Sequence, residues 1–175
     1  IAPNMGLSTA FGRSNDWTTS DGEDKHRRSL YTEVRRNSPY PSFSTFDAGN
    51  REVCMIRRGR TNTPLQALVL MNDPQVLEAA RVLAERTSNL KLSEDQKLER
   101  VFRLILCRMP TDKERTLLAD YYKKEKMKFS SNKDIAIKYL KAGEYVQTKT
   151  KDMTETAALM QVNHMLFNLD ETTIK

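Results

Sequence analysis

The order of apolar and polar residues along the chain changes character near Thr63. Beyond this residue, apolar side chains recur every three or four positions, which is the period of an amphipathic helix. Before it, no such period is sustained. The pattern predicts a mainly α protein, in which an irregular N-terminal arm and a long Arg-rich loop pack on a bundle of about five or six helices.

The first predicted helix begins at a strong start signal. Residues 63–66 (TPLQ) combine an N-cap hydroxyl, a proline at the first helical position and a glutamine three residues after the cap. These groups satisfy or remove backbone N–H groups that have no partner inside a helix. The sequence therefore predicts a helix that runs to about Met71. Its inward-facing residues are predicted to be Leu65, Leu68 and Val69.

Three further start signals predict three further helices. Asp73 stands before a proline and predicts a helix from Pro74 to about Arg86. Residues 93–96 (SEDQ) and 111–114 (TDKE) are capping boxes that open the next two helices. The apolar stripes predicted for these helices are Val76, Ala79, Ala80 and Leu83; Leu98, Val101, Phe102 and Ile105; and Leu117, Leu118, Tyr121 and Tyr122.

Weaker signals follow in the last part of the chain. Residues 132–142 predict a short helix around Ile135, Tyr139 and Leu140. Residues 143–151 are polar, which predicts a mobile connection. A final helix is predicted from Asp152 to about Leu169. Its inward face is predicted to carry Leu159, Val162, Leu166 and Leu169.

The N-terminal part of the chain lacks helical periodicity. Residues 1–24 are rich in glycine and small polar residues, so they are predicted to form an extended arm or linker to a missing upstream part. The helical region is predicted to cover residues 25–175. Residues 27–36 fit either a strand or a helical face. Residues 37–62 are predicted to form a long ordered loop with the aromatic anchors Tyr40, Phe43 and Phe46.

The chain carries a formal net charge of +6, and much of the excess lies in one segment. Between Lys25 and Arg60, nine basic residues stand against three acidic ones. The favoured interpretation is that arginine side chains hold irregular backbone in place, because a guanidinium group offers five donors in a fixed geometry. An anionic ligand is the second interpretation. Nucleic acid is the least favoured, because no nucleic-acid-binding motif accompanies the cluster.

Polar side chains are densest between Phe46 and Asp73. They predict either a buried hydrogen-bonded network that holds the loop against the helices, or the lining of a site for an anionic group such as a carboxylate or sulfate. The network is the favoured interpretation, and in it Arg51 or Arg60 would pair with a nearby aspartate. The candidate residues are Asp47, Arg51, Glu52, Arg57, Arg58, Arg60, Asn62, Gln66, Asn72 and Asp73.

Histidine and cysteine positions give no sign of a metal site or of nucleophilic catalysis. The only histidines are His26 and His164, and no His and Cys spacing is typical of zinc. Cys54 and Cys107 could form one disulfide, but Cys107 follows an apolar stripe and is therefore predicted to be a buried thiol. The chain lacks Cys-x-x-Cys-His, so it cannot attach a c-type haem by itself. No cofactor or metal is predicted within it.

No apolar run approaches the roughly 20 residues that a membrane-spanning helix needs. The first residues also lack the charged and apolar regions of a signal peptide. The sequence therefore predicts no membrane span within the chain.

Four runs of the sequence resemble domain-of-unknown-function family 1553, a secreted domain of planctomycetes and related bacteria. They are GEDKHRRSLYT (22–32), FDAGNREVCMIRRGRTNTPLQALVLMNDPQVLEAA (46–80), FRLILCRMPTDKERTLL (102–118) and HMLFNLDET (164–172). Four positions depart from the usual pattern of the family, and they are His26, Glu33, Val34 and Gly49. None of them changes the central run RTNTPLQAL.

This resemblance implies the C-terminal part of a large exported bacterial protein, located in the periplasm or outside the cell. It also implies upstream domains as partners, often with a cytochrome c module that carries haem, and a link by gene neighbourhood to polysaccharide breakdown. It transfers no catalytic residues. The expected role is a structural or interaction module. The alternative is part of an enzyme, redox or carbohydrate-active, whose site upstream sequence completes and which Asp47, Arg51, Arg60 and Asn62 would line.

Overall fold

A computed structural model describes residues 22, 24, 27–32, 41–49, 56, 59 and 61–174. The chain divides into two compact units, Ile1–Thr61 and Asn62–Lys175. Each unit has its own internal contacts, so each is described by itself.

Short helical turns characterise the described part of the first unit. A 3₁₀ helix covers Ser29–Tyr31, and helix α1 covers Pro41–Thr45. The sequence left residues 27–36 open between a strand and a helical face. The structure shows a helical turn within this segment, at Ser29–Tyr31, and residues 33–36 lie outside the described range. Phe43 and Phe46 are half-buried, as expected for aromatic anchors, whereas Tyr40 is outside the described residues.

Seven helices make up the described part of the second unit, residues 62–174. They are α2 (Pro64–Asn72), α3 (Pro74–Ser88), α4 (Glu94–Leu106), α5 (Asp112–Ser131), α6 (Lys133–Tyr139), α7 (Met153–Phe167) and α8 (Asp170–Ile174). The described residues contain no strand, and six of their helices have seven residues or more. The prediction of a mainly α fold with five or six helices is therefore confirmed.

The predicted helix starts are confirmed by their hydrogen bonds. The side chains of Thr63, Ser93 and Thr111 each accept a hydrogen bond from the backbone N–H three residues later. The side chain at that later position accepts one from the backbone N–H of the cap residue. Such reciprocal bonding satisfies two N–H groups that the helix cannot pair internally. Asp73 caps α3 by accepting from the N–H of Gln75 at 2.7 Å.

Helix α7 lies at the centre of the second unit and packs mainly against α3 and α5, with smaller contacts to α4 and α6. It buries small and large apolar side chains alike, which lets neighbouring helices approach closely. The buried apolar core consists of Ala80, Ala84, Leu98, Val101, Phe102, Leu106, Leu118, Tyr122, Phe129, Ala136, Leu140, Ala157, Ala158, Leu159, Met160, Val162 and Leu166.

Several residues predicted to face inward do not. Leu117 on α5 is 68% exposed, because only the line through Leu118 and Tyr122 faces the core and Leu117 lies about 100° away around the helix. Ala79 and Leu169 are also exposed, so these predictions were wrong. The remaining stripe positions on α3, α4 and α7 are buried or half-buried.

Helix α2 departs most from its prediction. Leu65 and Leu68, predicted to face inward, are 55% and 56% exposed, and Met71 is 53% exposed. The residue that α2 buries is Gln66. Apolar residues occupy nearly every side of this helix, so their spacing could not indicate which side packs against the bundle.

Of the helices that the structure describes, none is both long enough and apolar enough to cross a membrane.

Leu159 at the centre of α7 provides a test of this architecture. It is 1% exposed, so Leu159→Ala should leave a cavity and lower the free energy of unfolding by about 2–5 kcal/mol. The same change at the exposed Leu117 should alter it by no more than about 0.5 kcal/mol. Chemical denaturation of both variants measures the difference. Equal losses at the two positions would contradict the assignment of the core.

Candidate functional site

The structure describes five of the ten residues predicted between Phe46 and Asp73. Arg51, Glu52, Arg57, Arg58 and Arg60 lie outside the described residues. The paired arginines of the predicted network therefore remain a prediction. The five described candidates are Asp47, Asn62, Gln66, Asn72 and Asp73.

Asp47 lies just after α1 and has a backbone φ of 55°, in the left-handed region that few residues other than glycine adopt. Its carboxylate oxygen Oδ2 accepts hydrogen bonds from the backbone N–H and the hydroxyl of Thr61, at 2.7 and 2.8 Å. This carboxylate therefore joins two chain segments that are 14 residues apart within the first unit.

In the second unit, Gln66, Asn72 and Asp73 bond to backbone close to them in sequence. Gln66 Oε1 accepts from the N–H of Thr63 at 3.1 Å, as part of the α2 capping box. The Asn72 side chain donates to the Leu68 carbonyl at 2.8 Å, and Asp73 caps α3. Asn62 is exposed. These side chains define the ends of α2 and the start of α3.

The sequence interpretation missed a charged cluster that the structure places inside the second unit. Arg81, Glu85 and Glu78 lie on successive turns of α3 and are 0%, 3% and 8% exposed. All three bond to the segment that connects α6 to α7, which the sequence had indicated as a mobile connection. We name this set, Glu78, Arg81 and Glu85 together with residues 142–148, the α3 clamp.

Arg81 lies at the centre of the α3 clamp. Its Nε donates to the Ala142 carbonyl at 2.8 Å and its Nη2 to the Tyr145 carbonyl at 2.7 Å. Its Nη1 donates to Glu85 Oε1 at 2.5 Å, which neutralises the buried cation. A buried guanidinium group is tolerated only when it is paired and hydrogen-bonded in this way.

The two carboxylates of the α3 clamp accept bonds from backbone N–H groups. Glu78 Oε2 accepts from the N–H of Glu144, and from that of Tyr145 at 3.0 Å. Glu85 Oε2 accepts from the N–H of Thr148 at 3.0 Å. The connection between α6 and α7 is thus held at four backbone positions or more. The interpretation of residues 143–151 as a mobile connection overlooked these bonds.

Gly143 is required where the connection approaches α3. Its φ is 84°, and a Cβ atom added there would lie 2.5 Å from Glu78 Cγ. Only glycine allows both this backbone conformation and this close approach.

A second ion pair, partly buried, lies where α3 ends and α4 and α7 begin. Lys97 Nζ donates to Glu155 Oε1 at 2.6 Å and to the Ser88 carbonyl at 3.1 Å. Burial, assisted by the carboxylate of Glu155, raises the pKa of the nearby Tyr122 hydroxyl. That hydroxyl is buried and makes no hydrogen bond to the described part of the chain. Glu155 therefore neutralises the charge of Lys97, and the same ammonium group bonds to the carbonyl of Ser88 at the end of α3.

Arg108 connects α8 to the turn between α4 and α5. It forms bidentate hydrogen bonds with Glu114 at 2.6 and 2.9 Å and also bonds to Glu171 at 2.8 Å. Its guanidinium carbon lies 4.9 Å from the centre of the Phe102 ring. The hydrogen bonds from Arg108, and then those from Thr111, lower the pKa of Glu114 to about 2.

Two residues singled out from the sequence have ordinary environments. His164 on α7 is half-buried, with its Nε2 3.2 Å from the Leu70 carbonyl on α2. Cys107 is an exposed free thiol, so the prediction of a buried thiol was wrong. It ends α4 in a left-handed conformation, with φ of 57°, which turns the residue away from the apolar stripe before it. Cys54 lies outside the described residues.

Within the described ranges, no group of three or more histidine, cysteine, aspartate and glutamate side chains is placed to hold a metal ion. The buried polar side chains of the α3 clamp and of Lys97 bond to backbone and to one another. Their geometry stabilises connections between helices, and it does not present a nucleophile with a base and an orienting group.

A sequence signal for the α3 clamp existed but was ambiguous. Arg81 and Glu85 have the spacing of a surface helix pair. The alanines beside them, Ala80 and Ala84, are 0% exposed. Small residues next to a charged pair allow close approach of another segment, but the segment concerned lies more than 60 positions later in the chain.

One family model matches the chain. It is described as PSD1, Protein of unknown function (DUF1553), and it matches residues 3–122. This range includes three of the four runs that carry the resemblance and most of residues 1–24, while the run at 164–172 lies beyond it. The division at residue 24 stays a prediction. Neither a curated protein nor a solved structure matches the chain.

Replacement of Arg81 tests the α3 clamp. Arg81→Met removes three hydrogen bonds and leaves Glu85 buried without its cation, so the free energy of unfolding should fall by about 3–5 kcal/mol. Hydrogen exchange at the Tyr145 and Thr148 amides should also accelerate. Arg86→Met, at an exposed position on the same helix, is the matched control and should change stability by no more than about 0.5 kcal/mol. If Arg81→Met lowered the free energy of unfolding no more than Arg86→Met does, the α3 clamp would contribute little to stability.

Glu114 gives a prediction for the acid range. Its pKa is lowered from 4.5 to about 2, so the stability that it contributes is complete above pH 4.5 and is lost as the pH falls through 2. Glu114→Gln keeps a capping side chain but removes the charge. The stability difference between wild type and variant should therefore shrink steadily between these two pH values. Carboxyl NMR titration gives the pKa directly, and an ordinary value near 4.5 would contradict the bidentate pair.

Proposed function

We propose that this chain, which belongs to the PSD1 family of proteins of unknown function (DUF1553), is a structural and interaction module that packs against other domains of the same protein. The proposal concerns the second unit, whose helices form a firm support, and helix α2, which presents a surface to a partner. No reaction is part of the proposed role.

One observation carries the proposal: the exposed apolar face of α2. Leu65, Leu68 and Met71 are each more than half exposed. They lie on one side of α2, whose N-terminal end is fixed by the capping box at Thr63. Large apolar side chains grouped on one exposed face are typical of a protein–protein interface. The helix also lies within the range that the family model matches.

The support for α2 comes from its fixed position on the bundle. Asp73 accepts from the N–H of Gln75, and the N–H of Asp73 itself donates to the Val69 carbonyl, so this residue ends α2 and starts α3. The contact between His164 and the Leu70 carbonyl adds a link to α7. A helix held at its C-terminal end in this way can present its apolar face without a large entropic cost on binding.

The geometry of Asp47 also favours a structural role over a catalytic one. In the alternative function, as part of an enzyme completed upstream, this carboxylate would face a cleft and remain available to substrate. Its Oδ2 instead receives two hydrogen bonds from Thr61. A carboxylate used in this way positions backbone.

The wider setting of the proposed module follows from the resemblance of its sequence runs. We infer an exported bacterial protein, in the periplasm or outside the cell, whose upstream domains are the partner of α2. An upstream module with haem c, and a role in electron transfer or in polysaccharide use, belong to the same proposal. The resemblance supports these points, and an anionic ligand or polysaccharide is the further partner class that it suggests.

Separate expression of the upstream domains and of this chain tests the proposal. The two parts should associate, and a triple variant with Leu65, Leu68 and Met71 each replaced by serine should bind at least about tenfold more weakly, because the apolar area at the interface is lost. Isothermal titration calorimetry measures the affinity.

A matched control makes the same kind of substitution on a different part of the surface. Replacement of Leu117, Met127 and Ile135 by serine removes comparable apolar side chains that are 68%, 63% and 47% exposed on α5 and α6. The affinity of this variant for the upstream domains should equal that of wild type. Equal affinity of the α2 variant and wild type would refute the proposed role of α2.

A further inference from the structure

Helix α4 has two different faces. Its inner face packs Leu98, Val101 and Phe102 into the core, where each is at most 4% exposed. Its outer face, together with the residue Leu92 ahead of the helix, lines a surface groove of about 510 Å³. We name this the α4 groove, and its lining residues are Leu92, Gln96, Glu99, Arg100, Arg103 and Leu104.

The α4 groove is apolar at both ends. Leu92 and Leu104 are 38% and 54% exposed there. From Gln96 to Leu104 the groove follows about 12 Å of helix, which is slightly more than two turns. A groove of this length with a leucine at each end suits a helical ligand with side chains at matching turns.

Two cations lie between the leucines without a counter-charge. Arg100 and Arg103 are exposed, and their guanidinium groups form no hydrogen bond or ion pair with the described residues. The one carboxylate of the groove, on Glu99, lies 3.3 Å from Arg115 and is already paired. The groove therefore carries an unneutralised positive charge next to apolar surface.

We propose that the α4 groove binds an acidic amphipathic helix of a partner protein. Apolar side chains of that helix would pack on Leu92 and Leu104, and its carboxylates would pair with Arg100 and Arg103. Arginine and carboxylate form bidentate hydrogen bonds, which give such a contact direction as well as attraction. This surface is separate from the α2 face of the proposed function, and neither proposal depends on the other.

The lining residues also distinguish among possible occupants. A second copy of this chain is a poor occupant, because the chain carries a net charge of +6 and would bring further positive charge to the groove. Single-stranded nucleic acid binds through aromatic stacking, and the groove has no aromatic lining. Acidic and apolar groups on one helix match both features of the groove.

A designed peptide of about 15 residues tests the proposal, with leucines on one face and glutamates beside them. Fluorescence anisotropy with the intact chain should show binding that weakens as salt is added. The double variant Arg100→Gln and Arg103→Gln should weaken binding about tenfold, and Leu104→Ser should weaken it as well. The matched control, Lys123→Gln with Lys124→Gln, removes the same charge from an exposed part of α5 and should leave the affinity unchanged.

Two further peptides and one vesicle sample complete the experiment. A peptide with lysine in place of glutamate should not bind, and a scrambled acidic peptide without an apolar face should bind more weakly. Equal binding of the acidic and scrambled peptides would overturn the proposal, because it would show charge attraction alone. Equal binding by the arginine variant would overturn it too. Phosphatidylserine vesicles that bind through Arg100 and Arg103 when the peptide does not would identify a lipid surface as the occupant instead.

Discussion

A buried positive charge cannot persist in a protein interior unless it is neutralised and its hydrogen bonds are satisfied. Arg81 is such a charge, and it meets this requirement by bonding to Glu85 and to two carbonyl groups of a distant segment. That segment leads directly into α7, the helix against which most others pack. The position of the central helix is therefore linked to the pairing of one guanidinium group on α3.

Much of the fold was predictable because its signals are local. The capping boxes at Thr63, Ser93 and Thr111 involve residues three positions apart, so the sequence shows both partners at once. The stripe of α4 was predictable for the same reason, since polar residues on the other sides of this helix mark the buried face.

Features that depend on distant residues were not predictable. The α3 clamp joins positions more than 60 residues apart, and Glu78, Arg81 and Glu85 have the spacing of a solvated helix face. The predicted polar network between Phe46 and Asp73 stays a prediction, because five of its ten residues lie outside the described part of the chain.

Asp73 belongs to two helices at once, as the last cap of α2 and the first cap of α3. No linker separates these helices, so the direction of α2 is tied to the axis of α3 by one set of backbone dihedrals. A single residue inserted into the last turn of α2 would rotate the part of α2 before it by about 100° about the helix axis, relative to α3. Its leucines would then point to a different part of the surroundings, so the length of the chain at this junction must be kept for α2 to retain its orientation.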